Sequence, residues 1–136
     1  MAFSTTPIFP ATLLTGQSTL PASSATTTTI FTANATYGAV IAGPIVFYEK
    51  GAGGARTCRL ELKEGSTTTI LKRFTTSGTQ YTSTNIFTSS YIPGLDATAP
   101  ELRLKPGQTL QIVTEDTNNN AVDVSVLNAM SYENPN

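Results

Sequence analysis

Five oxygen-bearing side chains crowd one segment, Glu115, Asp116, Asn118, Asn120 and Asp123, and clustered oxygens are what a hard cation such as calcium requires. The run opens as Asp-x-Asn-x-Asn, but Ala121 stands where a calcium loop needs glycine, and no distant bidentate glutamate follows. An ordinary hairpin loop, in which Asp and Asn bond their own backbone, accounts for the segment more simply. No metal and no cofactor is expected. The run Gly51-Ala52-Gly53-Gly54-Ala55-Arg56 lacks both the Gly-Lys-Ser/Thr and the helical period of a phosphate cradle. The chain contains no histidine, so neither serine nor the lone Cys58 has the commonest activating base. Cys58 shares strand parity with Leu60 and Leu62, where a thiol behaves as a small inert hydrophobe. Glu61 and Glu101 could be offered as a glycosidase pair, yet both fall at outward parity among basic residues, which reads as salt-bridged surface. No catalytic residue is assigned, and an enzyme is not expected. An alternative of another kind is a glycan platform built from Tyr81, Phe87 and Tyr91.

These residues need elements to hold them, and every pattern in the chain is that of strands. Leu102 and Leu104, Leu110 and Ile112, and Val122, Val124 and Val126 alternate with polar neighbours at period two. Pro106-Gly107 between the first two groups reads as a type II turn. Ala55 to Lys63 alternates in the same way, with Cys58, Leu60 and Leu62 inward. Val40 to Lys50 is the most apolar stretch, and Pro44 within it implies a bulge, an edge position or a break after Gly43. Gly51 to Gly54 reads as a hairpin loop, Tyr91 to Asp96 as a corner, and Ser131 to Asn136 as a polar tail. The 25 threonines favour the pleated surface that their branched Cβ fits. A chain of 136 residues suits one domain. The expected fold is all-β: a single antiparallel β-sandwich, jelly-roll or immunoglobulin-like, of seven or eight strands over residues 25–136. An extended N-terminal arm, residues 1–24, precedes it, with three prolines and room for one short edge strand.

Charge placement says more than charge count. No Asp, Glu, Lys or Arg precedes Glu49, whereas a surface bathed in water ordinarily interleaves both signs. An uncharged lead of this length suits a segment lying against protein, and Ile8, Phe9, Leu13 and Leu14 are its candidate partner-binding residues. A net charge of −1 with 8 basic residues argues against a nucleic-acid surface. The sequence has no apolar run long enough to span a membrane, and its first residues lack the pattern of a signal peptide.

The order of these features resembles small β-sandwich virion proteins of tailed bacteriophages. The matching stretches are the Thr-rich strand Thr26 to Ala33, the apolar strand Ala39 to Tyr48, GGARTCRLELKEG, the turn strand LRLKPGQTLQIVT and the closing AVDVSVLNAMSYE. They cover roughly Ala25 to Glu133. The resemblance implies a capsid decoration (cement) protein on the virion surface, made in the host cytoplasm, that bridges capsid subunits. Its partners would be the major capsid protein and copies of itself in a homotrimer, with no small-molecule ligand. A tail or neck structural protein is the neighbouring alternative, and a carbohydrate-binding adhesion module the more distant one.

Overall fold

The computed structural model describes residues 9–22 and 25–133. Among them every regular element is a strand, and no helix is long and apolar enough to cross a membrane. In chain order the strands are β1 (Phe9–Leu20), β2 (Thr27–Thr32), β3 (Ala39–Ile41), β4 (Ile45–Glu49), β5 (Thr57–Glu64), β6 (Thr67–Thr75), β7 (Thr82–Asn85), β8 (Leu102–Leu104), β9 (Thr109–Thr114) and β10 (Val122–Glu133). They form two antiparallel sheets. The smaller runs β2-β9-β5-β6. In the larger, β10 lies between β1 on one side and β3 and β4 on the other, with β8 outside β3 and β7 outside β4.

The period-two runs turn their apolar positions into the gap between the sheets. Cys58 and Leu60 of β5, Leu110 and Ile112 of β9, Ile45 and Phe47 of β4, and Val122, Val124 and Val126 of β10 are all almost fully buried in one core. Burying a Leu, Ile, Val or Phe side chain contributes about 1.5–3 kcal/mol, so this alternation is the main source of stability. Lys105, Pro106, Gly107 and Gln108 form the expected turn, with Gln108 N donating to Lys105 O at 3.1 Å and Gly107 at φ +77°.

One fault line crosses the larger sheet. β3 and β4 are a single path interrupted at Gly43-Pro44, a cis peptide. Opposite this break β10 kinks at Asn128, whose φ of +50° is left-handed and whose Nδ2 donates to Gly43 O at 2.7 Å. β1 shifts register between Leu14 and Gly16 at the same level. Between β7 and β8 the chain leaves the sheet for residues 86–101, and this excursion buries Ile86, Phe87, Ile92 and Leu95 in the core. The Phe87 ring packs where a Cβ on Gly43 would stand, so only glycine fits there, on both space and φ.

Five expectations need correction. Residues 25–133 contain nine strands instead of seven or eight, because Pro44 splits one strand and the 86–101 excursion splits another. Within the expected arm, Phe9–Leu20 is no short strand but a twelve-residue one, hydrogen-bonded along β10. Neither Gly51 to Gly54 nor Glu115 to Asn120 is a hairpin loop, since the first carries the chain from the larger sheet (β4) to the smaller (β5) and the second from the smaller (β9) to the larger (β10). Ser131 to Glu133 continues β10, where a polar tail was expected, because β1 and β3 offer backbone partners there.

Candidate functional site

The polar loop between β9 and β10 closes over one end of the core, and a cation does occupy its oxygens: the guanidinium of Arg56. Arg56 directly precedes β5 and is completely buried. Its Nη1 donates to Pro21 O (2.8 Å) and Asn120 O (3.0 Å), and its Nη2 to Asp116 O (3.1 Å). Its Nε lies 3.4 Å from Asp116 Oδ1, whose other oxygen accepts from Thr57 N at 2.9 Å. A planar fork of donors suits such a ring of carbonyls and carboxylate. Among the described residues the buried Asn120 Oδ1 alone lacks a hydrogen-bond partner, and the other loop side chains are engaged. Asn118 Oδ1 accepts from Asn120 N, and Asp123 pairs with Lys50 at 3.0 Å and accepts from Thr19 Oγ1 at 2.8 Å. Among the described residues no three Asp, Glu or Cys side chains converge as metal ligands would.

Glu49 forms the second half of this cluster. Ile45, Phe47 and Glu49 share one parity of β4, so the carboxylate is carried inward and is 1% exposed. It accepts from Ser77 Oγ, Gly78 N (2.9 Å) and Asn120 Nδ2 (2.9 Å). Burial alone pushes this carboxyl up, but hydrogen bonds from Ser77, Asn120, Gly78 and Thr76 outweigh it and hold the group below the usual glutamate range. Burial likewise raises Asp123, and Lys50 and Thr19 more than reverse it. Asn120 bridges the two halves, since its Nδ2 also donates to Gly54 O at 3.0 Å. The glycines explain themselves here: a Cβ on Gly51 or Gly53 would collide with the backbone of Asn119.

The Glu49 cluster holds one further segment in place. Tyr81 N donates to Glu49 O and Gln80 Nε2 to Lys50 O at 3.1 Å. Thus anchored, Tyr81 adopts φ +68° and is 68% exposed. Left-handed backbone costs a residue with a Cβ roughly 1–2 kcal/mol, and an exposed ring recovers none of that from the core.

The residues singled out from sequence scatter. Phe87 is core at 2% exposure. Tyr91 packs edge-on against Phe74, centroids 5.2 Å apart, and Phe74 does the same against Phe47 at 5.6 Å. Only Tyr81 of the three is open to solvent. Glu61 and Glu101 lie by different sheets, accepting from Arg59 and Arg103 respectively, each at 2.9 Å. Burial pushes the Cys58 thiol up to about 12, which leaves no thiolate near neutrality. Ile8 lies outside the described residues. Phe9, Leu13 and Leu14 stand on β1 opposite Glu133, Met130 and Ala129. The Glu49–Arg56 cluster was missed, although the inward parity of Glu49 was a readable signal. Nothing local marks Arg56, because its cage is assembled from Pro21, Asp116 and Asn120. Chemically the cluster is a rivet, with both of its charges engaged by hydrogen bonds.

No family model, curated protein or solved structure matches this chain.

Proposed function

We propose that this chain is a non-enzymatic structural protein of a phage virion, a capsid decoration protein that bridges and stabilises capsid subunits at the particle surface. The observation that carries the reading is one flank of the molecule. β1 is an edge of the larger sheet and β2 an edge of the smaller, and Ser18 Oγ on the first reaches Thr29 O on the second at 3.3 Å. Neither strand carries an ionisable side chain, and each has one strand partner among the described residues. An uncharged flank with two open edges suits contact with protein, where edge groups find partners and no charge loses its water. Strand order lends support. With β3–β4 and β7–β8 each counted as one interrupted strand, the sheets run first-eighth-third-sixth and second-seventh-fourth-fifth. We read this order as that of a jelly roll, an architecture used by viral capsid domains. On this reading its neighbours are the major capsid protein and copies of itself, as in a homotrimer. The glycan-binding alternative retains Tyr81 alone as a candidate contact.

The test is to mix purified protein with particles of the phage whose genome encodes it, stripped of this protein. Stoichiometric rebinding to heads supports the reading. Binding to tails or necks only, or no binding, rejects it.

A further inference from the structure

A cavity of about 290 Å³ opens on the outer face of the smaller sheet, lined by Thr29, Lys63, Gly65, Gly107, Thr109 and Gln111. Strand register brings these residues together. Lys63 of β5 stands opposite Thr109 of β9, and Gln111 of β9 stands between Glu61 of β5 and Thr29 of β2. The turns at Gly65 and Gly107, both at left-handed φ, lie at one end. Lys63 is the one charged group in the lining, and among the described residues it has no ion-pair partner. The carboxylates next to it along β5 are already engaged. Glu61 accepts from Arg59 Nε at 2.9 Å and Gln111 Nε2 at 2.8 Å, and Glu64 accepts from Gln108 Nε2 at 3.1 Å. Gln111 is itself 8% exposed, so one wall of the cavity is a side chain fixed in place. A carboxylate only accepts, and Glu61 therefore sets the Gln111 amide with Nε2 toward it and Oε1 turned away.

We propose that this cavity is a binding site for an acidic sugar, a hydroxylated ring whose carboxylate pairs with Lys63 and whose hydroxyls bond Thr29, Thr109 and Gln111. The lining selects that chemistry. An ammonium without a carboxylate partner calls for an anion. A bare inorganic anion would leave most of the space unfilled, since the volume is about ten times the roughly 30 Å³ that one water molecule takes up. No aromatic or large aliphatic side chain lines the cavity, so a ligand held by apolar burial finds no seat. The groups that remain are two threonine hydroxyls, each donor and acceptor, and an amide oxygen that accepts, a mixture that suits the hydroxyls of a sugar ring. The site shares no residue with Tyr81 and goes beyond the structural role proposed above.

The isotope-labelled full chain is titrated at constant ionic strength with glucuronate, with glucose and with acetate, and the backbone amide NMR signals are followed. Glucuronate shifts the amides of Gly65, Gly107 and Gln111 and saturates. Glucose, which lacks the carboxylate, and acetate, which lacks the hydroxyls, each bind at least about tenfold more weakly. Lys63→Gln weakens glucuronate binding about tenfold. Lys72→Gln, which removes the same charge from β6, leaves it unchanged. Both lysines are exposed, so neither variant threatens the fold. Acetate as tight as glucuronate reduces the cavity to a carboxylate site and overturns the sugar. Glucose as tight as glucuronate, or binding indifferent to Lys63→Gln, overturns the role of the lysine and the proposal with it. Shifts that never saturate, or that fall on other amides, overturn the site itself.

Discussion

Two strands of this molecule begin with the same four residues and meet opposite fates. β2 reads Thr27-Thr28-Thr29-Ile30 and β6 reads Thr67-Thr68-Thr69-Ile70; both are edges of the smaller sheet, and each has a register shift beside its isoleucine. Ile30 is 6% exposed and Ile70 57%. The difference lies in what stands opposite. β2 runs beneath β1, to which Ser18 ties it, and its isoleucine turns into the core. β6 pairs Ile70 with Glu61, an outward position of β5, so its isoleucine turns away from the larger sheet, and Lys72, opposite the inward Leu60, is left exposed at an overhanging edge. The residues that follow fit these positions: Phe31-Thr32 continue a covered strand, whereas Lys72-Arg73 keep an overhanging edge in water and discourage pairing. Burial here is a property of the neighbour more than of the tetrapeptide.

Four experiments would break or sharpen that contrast. The largest effect falls on the covered side. Arg56→Met strands the carbonyls of Pro21, Asp116 and Asn120 and costs about 3 kcal/mol, the low end for a buried ion pair because Asp116 stays partly wet. Urea unfolding measures the loss. Because Pro21 directly follows β1, hydrogen exchange should accelerate first in β1 and leave β6 unchanged. Ile30→Ala should cost roughly 2–4 kcal/mol and Ile70→Ala within about 0.5 kcal/mol. Equal losses would show that β6 is covered after all.

Acidity tests the rivet by a different route. Glu49 and Asp123 are both held below the ordinary carboxylate range, so each contributes stability that is fully present above that range and is lost as pH falls through the folded value. Wild-type protein should lose stability on acidification, and Glu49→Gln should flatten that dependence. A profile unchanged by Glu49→Gln would remove Glu49 from the linkage. The smallest effect on stability is expected from replacing Lys72 and Arg73 together by threonine. The melting temperature should hold while light scattering detects new association through β6.

Much of this structure was legible in the chain, for reasons that can be located. Cys58, Leu60, Leu110, Ile112 and the three valines of β10 lie inward as their alternation says, because a half-buried strand allows no other reading. Pro44 marked a break and Pro106-Gly107 a turn, since proline and glycine act locally. The non-local features were hidden. Period two tells which face a strand buries but not which sheet it joins, so the crossing of Gly51 to Gly54 between sheets left no trace. Of the excursion over residues 86–101 only the corner at Tyr91 to Asp96 was legible, because Ile86, Phe87, Ile92 and Leu95 reach the core from irregular backbone. The cage around Arg56 draws its oxygens from two distant segments. Lys72 and Arg73 blurred the parity of β6, and that blur was itself the signature of a strand exposed on both faces.

A density map of the intact particle bears most directly on the claim that the uncharged flank is where this protein meets its neighbours. The map should show β1 and β2 in contact with adjoining subunits and β6, with Lys72 and Arg73, open to solvent. A map in which β6 is buried at a contact while β1 and β2 face water would contradict that claim.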